Sequence, residues 1–318
     1  NSEGSDTRAL SIIISNPVEQ TPVRYLDADG KERFCTEYTV LESVIIEDFF
    51  DSDNKWYDMP AGWYVVEDDV TITPRLDTHG AVNLILTDDC HLTVPWGINV
   101  KEGDTFTIYA QSTAEASMGK LTACLPEWSD HDKSVWPVAG LSGIGAGVRV
   151  WAANDNYYEN EGTIIINGGN IHAKGQQGSS AIGGSDYDHN VSSDGDTPGN
   201  LRQGGSITIN GGDITARGGT GKYGNGNGIG SFNDADITIN SGNIEAYSDR
   251  NGCGIGFGTS TTVKITGGTI KAVSNAIAAI GSPKYTAGSV SITGGKVTAI
   301  GKGEADGIGG HGDVSITG

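Results

Sequence analysis

A ten-residue phrase, (I/V)-x-I-(N/T)-G-G-x-(I/V)-x-A, returns down the second half of this chain and constrains its fold more than any other feature. Full copies run from Ile164 to Ala173, Ile207 to Ala216, Ile237 to Ala246 (with Ser241 for the first Gly), Val263 to Ala272 and Val290 to Ala299, and a sixth starts at Val314. A second phrase, Ile-Gly preceded by Gly or Ala, follows each full copy at Ile182, Ile229, Ile255, Ile280 and Ile308. The isoleucines Ile209, Ile239, Ile265, Ile292 and Ile316 are 30, 26, 27 and 24 residues apart. That period belongs to stacked solenoids.

Each unit reads as three short strands. Ile207 and Ile209 alternate with Ser206, Thr208 and Asn210, so apolar side chains take one face and polar ones the other. Gly211-Gly212 supplies a turn with positive φ, Ile214-Thr215-Ala216 forms a second in-out strand, and Ile229 between glycines forms the third. Strands this short cannot bury an apolar face alone, so they must stack on their copies in adjacent coils. Helical periodicity is absent over any useful length. The expected fold is all-β, a right-handed parallel β-helix with three short strands per coil. The hand follows from the right-handedness of crossovers between parallel strands.

The pattern continues upstream in blurred form. Leu84 and Leu86, Leu92 and Val94, then Ile98 read as one coil; Phe106 and Ile108, Leu121 and Ala123, then Ile144 read as the next, with a partial coil at 63–72. Residues 1–60 lack the repeat and are expected to form a leader and an N-terminal cap, with a hairpin at Tyr25 to Lys31. Residues 61–318 are expected to form the β-helix, with loop insertions at 125–142, 148–161 and 184–205.

With 40 acidic and 20 basic residues the net charge is -20. Such a chain is a poor partner for nucleic acid or an anionic membrane surface, and is compatible with neutral glycans or cations. No stretch has the length of a transmembrane helix, so no membrane insertion is expected, and the protein is read as a monomer. Cys35, Cys90, Cys124 and Cys253 are too few and too scattered for a disulfide scaffold or a zinc site. Cys253, on the inward register, reads as a small buried hydrophobe.

The run Gly62 to Val66, Val70 to Ile72, Val82 to Leu86, Asp89 to Thr93, Ile98 to Val100 and Phe106 to Tyr109 resembles the opening coils of repeat-rich surface proteins of gut bacteria. Copies such as Gly205 to Gly212 resemble their repeats. The resemblance covers about residues 60–318. It implies secretion or a cell-surface location and says almost nothing about chemistry. The polar opening Asn1 to Asp6 is also what a surface lipoprotein would show after its lipid-bearing cysteine.

Loop insertions are where a solenoid usually carries function. Two of them, 148–161 and 184–205, leave the same corner of consecutive coils, about 4.8 Å apart at their bases. The candidate ligand-binding residues are therefore Trp128, Trp136, Trp151, Tyr157, Tyr158, Asp186, Tyr187, Asp188 and His189. Aromatic rings cover the apolar faces of sugars while carboxylates accept hydroxyl hydrogen bonds. The bland alternative is that the aromatics only pin their loops. Asp186, Asp188 and Asn190 have the alternating oxygen donors of a calcium loop, although Val191 and Thr197 depart from the full pattern, which also leaves a solvated acidic loop as a reading. His172, Lys174, Arg217 and Glu245 fall on one outward face and are expected to be ordinary solvated positions. Asn167, Asn210 and Asn240 are expected to hydrogen-bond from coil to coil.

No catalytic constellation emerges. The expectation is an extracellular or cell-surface β-helix that binds polysaccharide or a surface glycan. The alternatives are a polysaccharide lyase or glycoside hydrolase using carboxylates at 130–132 and 186–196, and a structural spacer.

Overall fold

The computed structural model describes residues 20–46, 56–125, 141–146, 148–151, 155–158, 160–176, 178–184, 205–220, 226–231, 235–256, 258, 260–283, 288–309 and 313–317. Of the strands Val148–Trp151 and Asp155–Tyr158, only the backbone is described.

The chain is a parallel β-helix. Its first sheet stacks the opening strands of successive coils, from Thr39–Val40 through Trp56–Val66, Arg75–Leu86, Thr105–Ala110 and Thr163–Ile166 to Val314–Ile316. The second sheet stacks the strands after the turn, from Asp69–Thr71 through Lys120–Cys124 and Asn243–Ser248 to Lys296–Gly301. The third face is the Ile-Gly phrase, a column of parallel bridges Ile98–Ile144–Ile182–Ile229–Ile255 that continues through Ile280 and Ile308.

Register follows the repeat residue for residue. Ile164 pairs with Ile207, Ile207 with Ile237, and Ile237 with Val263, while Ala173, Ala216 and Ala246 align in the second sheet. A one-residue slip would turn every one of these apolar side chains to solvent, which is why the alternating pattern locks the stack. The resulting core is continuous from Leu41 to Ile292, and its isoleucines are almost wholly buried. Truncating one of them, such as Ile239, to Ala removes about 2–5 kcal/mol of stability.

Glycine is required where coils touch through backbone alone. Gly256 has φ +123°, and a Cβ there would lie 2.0 Å from the Gly281 carbonyl oxygen of the next coil. In the turn, Gly212 has φ +100° and sits under the Gly169 carbonyl. The first glycine of the pair is less constrained in sign of φ, and Ser241 stands there in the third copy.

The boundary near residue 60 falls inside a strand. Trp56–Val66 already pairs along its length with Arg75–Leu86, and Thr39–Val40 and Val44 pair in parallel with Tyr64–Val65 and Ile72. The predicted hairpin forms between Val23–Leu26 and Glu32–Cys35, with the turn at Asp27 to Gly30. It lies against the side of the first sheet: Val23 and Cys35 pack on Val65 and Ile85, and Tyr25 meets Trp63 and Tyr109 at ring-centre distances of 5.0 and 4.8 Å. Trp63 and Tyr109, outward-facing on the sheet, are spent on docking this hairpin.

Arg75 is fully buried where the third face turns into the first sheet. Its Nη1 donates to the carbonyls of Trp96 (2.6 Å) and Ser142 (2.9 Å), and its Nη2 to those of Ile98 (3.3 Å) and Gly145 (2.9 Å). One guanidinium thereby satisfies carbonyls of consecutive coils, the kind of hydrogen bonding a buried cation requires. No described helix is long and apolar enough to cross a membrane.

Candidate functional site

The turn between the first and second strands builds a surface of its own. Asn210 Nδ2 donates to Asn167 Oδ1 (2.7 Å), Asn240 Nδ2 to Asn210 Oδ1 (2.8 Å), and Thr266 Oγ1 to Asn240 Oδ1 (2.9 Å). The ladder expected of these asparagines therefore exists and runs in one direction along the coils. The glycines beside Asn167 and Asn210 leave the floor low there, and Ser241 stands beside Asn240.

Two walls convert this floor into a groove of about 640 Å³. One is the tip of the N-terminal hairpin, Leu26 to Gly30. The other is the loop Ala110 to Met118, tied down by a bond from Ser112 Oγ to Asp88 Oδ1 (2.7 Å) and from Asp89 N to the Ser117 carbonyl (2.6 Å). The floor spans the turns at Asn167, Asn210 and Asn240, about 10 Å from the first to the last at ordinary strand spacing. The volume lies in the range of small-ligand sites.

The groove is polar and acidic. Asp27, Asp29, Glu115 and Asp213 line it, and no Lys, Arg or His does among the described residues. Asp27 is committed to its own turn: its Oδ1 accepts from the backbone amides of Lys31 (2.9 Å) and Asp29 (3.0 Å), and its Oδ2 from Arg33 Nε (2.8 Å). The Lys31 amide bond leads in holding that carboxyl below its ordinary range. Glu115 and the asparagine amides are the groups placed to meet a ligand.

Four segments, residues 164–186, 207–231, 237–256 and 290–313, match a family model described as a beta helix repeat. Those four segments are similar to that repeat, and each spans one coil or most of one in the fold described above. Searches of the curated proteins and of the solved structures return no match.

A second cluster of polar side chains sits at another corner of this β-helix, between the third face and the first sheet. Strand pairing sets Asp58 beside Asp77, and His79 follows two residues after Asp77 on the same side. Asp77 is almost fully buried; its Oδ1 accepts from Asn99 Nδ2 (2.8 Å), and Lys101 Nζ lies 3.4 Å from both of its oxygens. His79 Nε2 stands 3.1 Å from Asp58 Oδ1 and 3.6 Å from Asp77 Oδ2.

Two coils on, Glu161 is fully buried at the base of the insertion 184–205. Its carboxylate is approached by the amides of Gly205 and Gly184 and by the Ser231 hydroxyl, while its Oε1 has no hydrogen-bond partner among the described residues. Burial outweighs those donors and pushes the carboxyl up to about 7.

The ligand residues named from sequence are not brought together by the described part of the structure. Trp128, Trp136, Asp186, Tyr187, Asp188, His189 and Asn190 lie outside the described residues. For Trp151, Tyr157 and Tyr158 the backbone alone is described, and it forms an antiparallel hairpin pairing Trp151 with Asp155 and Val148 with Tyr158. The outward strip on the second sheet does assemble. Arg217 lies over the Tyr247 ring (4.6 Å) and bonds Asp249 (2.8 Å), Lys271 Nζ donates to the Tyr247 hydroxyl (2.9 Å), and that hydroxyl donates to Glu245. The Tyr247 bond, aided by Lys271, holds the Glu245 carboxyl below its usual range. These groups satisfy one another at the surface, as a solvated face does. Cysteine forms no disulfide among the described residues, and Cys253 is buried against Ala278.

The groove went unforeseen because its parts are far apart in sequence. Its hairpin wall was legible as a hairpin, and its floor as a turn ladder. That the hairpin docks beside the ladder depends on Tyr25, Trp63 and Tyr109 meeting, and no local pattern encodes that meeting.

Proposed function

We propose that this protein is an extracellular or cell-surface β-helix that recognises a neutral glycan through the groove over the asparagine turn ladder. The groove itself carries the reading. It is open and elongated, floored by side-chain amides and walled by carboxylates, groups that exchange hydrogen bonds with sugar hydroxyls. Its charge selects against uronate, sulfate and sialic-acid ligands, because each anionic group would enter beside Glu115 and Asp213, while the nearby cations Lys31 and Arg33 are paired with Asp29 and Asp27 and none lines the groove among the described residues. Recognition without catalysis fits a site whose acids flank an amide floor. The insertions with Trp151, Tyr157, Tyr158 and Asp186 to Asn190 are a further surface for the same class of ligand.

The test is binding of the intact chain to matched neutral and uronic-acid oligosaccharides. Binding to the neutral set, with the acidic set binding at least tenfold more weakly, supports the reading. Preference for the acidic set, or release of new reducing or unsaturated sugar ends, contradicts it.

A further inference from the structure

We infer that Asp58, Asp77 and His79 form a site for a divalent first-row transition metal, zinc being the best fit. The inference is independent of glycan recognition, since this corner and the groove share no residue.

The fold creates the donor set. Asp58 and Asp77 are adjacent across neighbouring coils, and Asp77 and His79 are alternate residues of one strand, so all three side chains share one outward side of the corner. One donor atom from each lies within 4.8 Å of the others. Tetrahedral zinc, with bonds of about 2.0–2.2 Å to imidazole nitrogen and carboxylate oxygen, requires donors about 3.3 Å apart. The distances from His79 Nε2, 3.1 and 3.6 Å, bracket that value.

The surrounding groups orient the donors for a cation. Lys101 Nζ is 3.4 Å from His79 Nδ1. An ammonium only donates, so that contact uses the Nδ1 lone pair. A metal on Nε2 needs the tautomer that carries its proton on Nδ1, so Lys101 has to leave Nδ1 as the ion binds, and the Nδ1–H then donates to water. Asn99 holds Oδ1 of the buried Asp77 and leaves Oδ2 toward His79, the outer-shell support that metal carboxylates characteristically have. Asp58 and His79 are exposed, which gives an ion a path from solvent and leaves further coordination positions to water. The imidazole disfavours calcium and magnesium, which take oxygen ligands.

Lys101 supplies the opposing term. Its ammonium neutralises Asp77 at 3.4 Å, so a dication binds against it and pushes that side chain toward solvent. The site is thus poised between a resident ammonium and a metal, and removal of the lysine charge should tighten binding.

The experiment titrates the chelator-stripped full chain with Zn²⁺ by calorimetry at pH 7.5, and with Co²⁺ while its visible absorption is followed. One equivalent bound, with cobalt bands of a low-coordinate site, is expected. Asp58→Ala and His79→Ala, both exposed positions, should each weaken binding at least tenfold, and Lys101→Met should strengthen it about tenfold. Absence of binding at millimolar metal overturns the inference. So does binding that survives His79→Ala unchanged, which would place the metal elsewhere, or a Lys101→Met variant that binds more weakly than the parent.

Discussion

Replacing Glu161 with Gln should stabilise the protein at pH 8 and change it little at pH 5. Glu161 is fully buried, with donors from Gly205, Ser231 and Gly184 too few to replace its hydration, and its carboxyl is pushed from 4.5 to about 7. Below the ordinary value the carboxyl is protonated whether the chain is folded or unfolded, and this group adds no pH dependence. Between 4.5 and 7 the unfolded chain has released the proton while the folded one keeps it, so stability falls as pH rises, by roughly 1.4 kcal/mol for each pH unit across the window. Above 7 both states are ionised and the whole cost persists, about 3 kcal/mol. Glutamine keeps the shape and an acceptor without the charge. The stability difference between variant and parent should therefore widen by about 2 kcal/mol from pH 5 to pH 8, while contributions from other titrating groups cancel in the difference. Chemical denaturation followed by tryptophan fluorescence, at both pH values and one salt concentration, reads it. A difference that stays constant within about 0.5 kcal/mol, or that narrows as pH rises, would refute the reasoning.

Three other outcomes follow from the packing. Gly256→Ala forces a Cβ onto the Gly281 carbonyl at a positive φ and should cost more than about 3 kcal/mol, seen as a lowered denaturation midpoint or insoluble expression. Arg75→Met removes the donor to four buried carbonyls and should cost about 3–5 kcal/mol in the same assay, with a loss below 1 kcal/mol contradicting the role given to it. Trp63→Ala should loosen the N-terminal hairpin, giving faster proteolysis near Asp27 to Gly30 and weaker glycan binding through loss of one groove wall, with the coil itself intact by circular dichroism.

The coil was legible because its energetics are local and repeated. Alternation at Ile207, Thr208 and Ile209 fixes which face is buried, the Gly-Gly pair fixes the turn, and copying them fixes the register, so the in-out pattern of every later coil could be read from sequence. The early coils were read more dimly. Trp56–Val66 and Arg75–Leu86 run continuously through a corner that later coils break with an insertion, and they turn it at the register shift between Pro60 and Gly62 and at Gly80, with φ +74°. The buried acids escaped notice for a related reason. Asp77 and Glu161 look like any polar corner residues in a chain of net charge -20, and their burial arises only from the coils stacked on either side. The aromatic insertion residues were chosen on composition. Two outward aromatics, Trp63 and Tyr109, pack against the hairpin, a use that outward position alone does not distinguish from a ligand platform.

The most direct test of glycan recognition in the groove compares three proteins on one neutral oligosaccharide series: the parent, Ser241→Arg, and a variant with Trp151, Tyr158, Asp186 and Asp188 changed to Ala. Ser241 lies exposed on the groove floor, where a long side chain fills the groove without breaking the asparagine ladder. Loss of at least tenfold in affinity with Ser241→Arg, and a smaller loss in the insertion variant, is the predicted result. Full affinity in Ser241→Arg with binding abolished in the insertion variant would move the site to the loops and contradict the account.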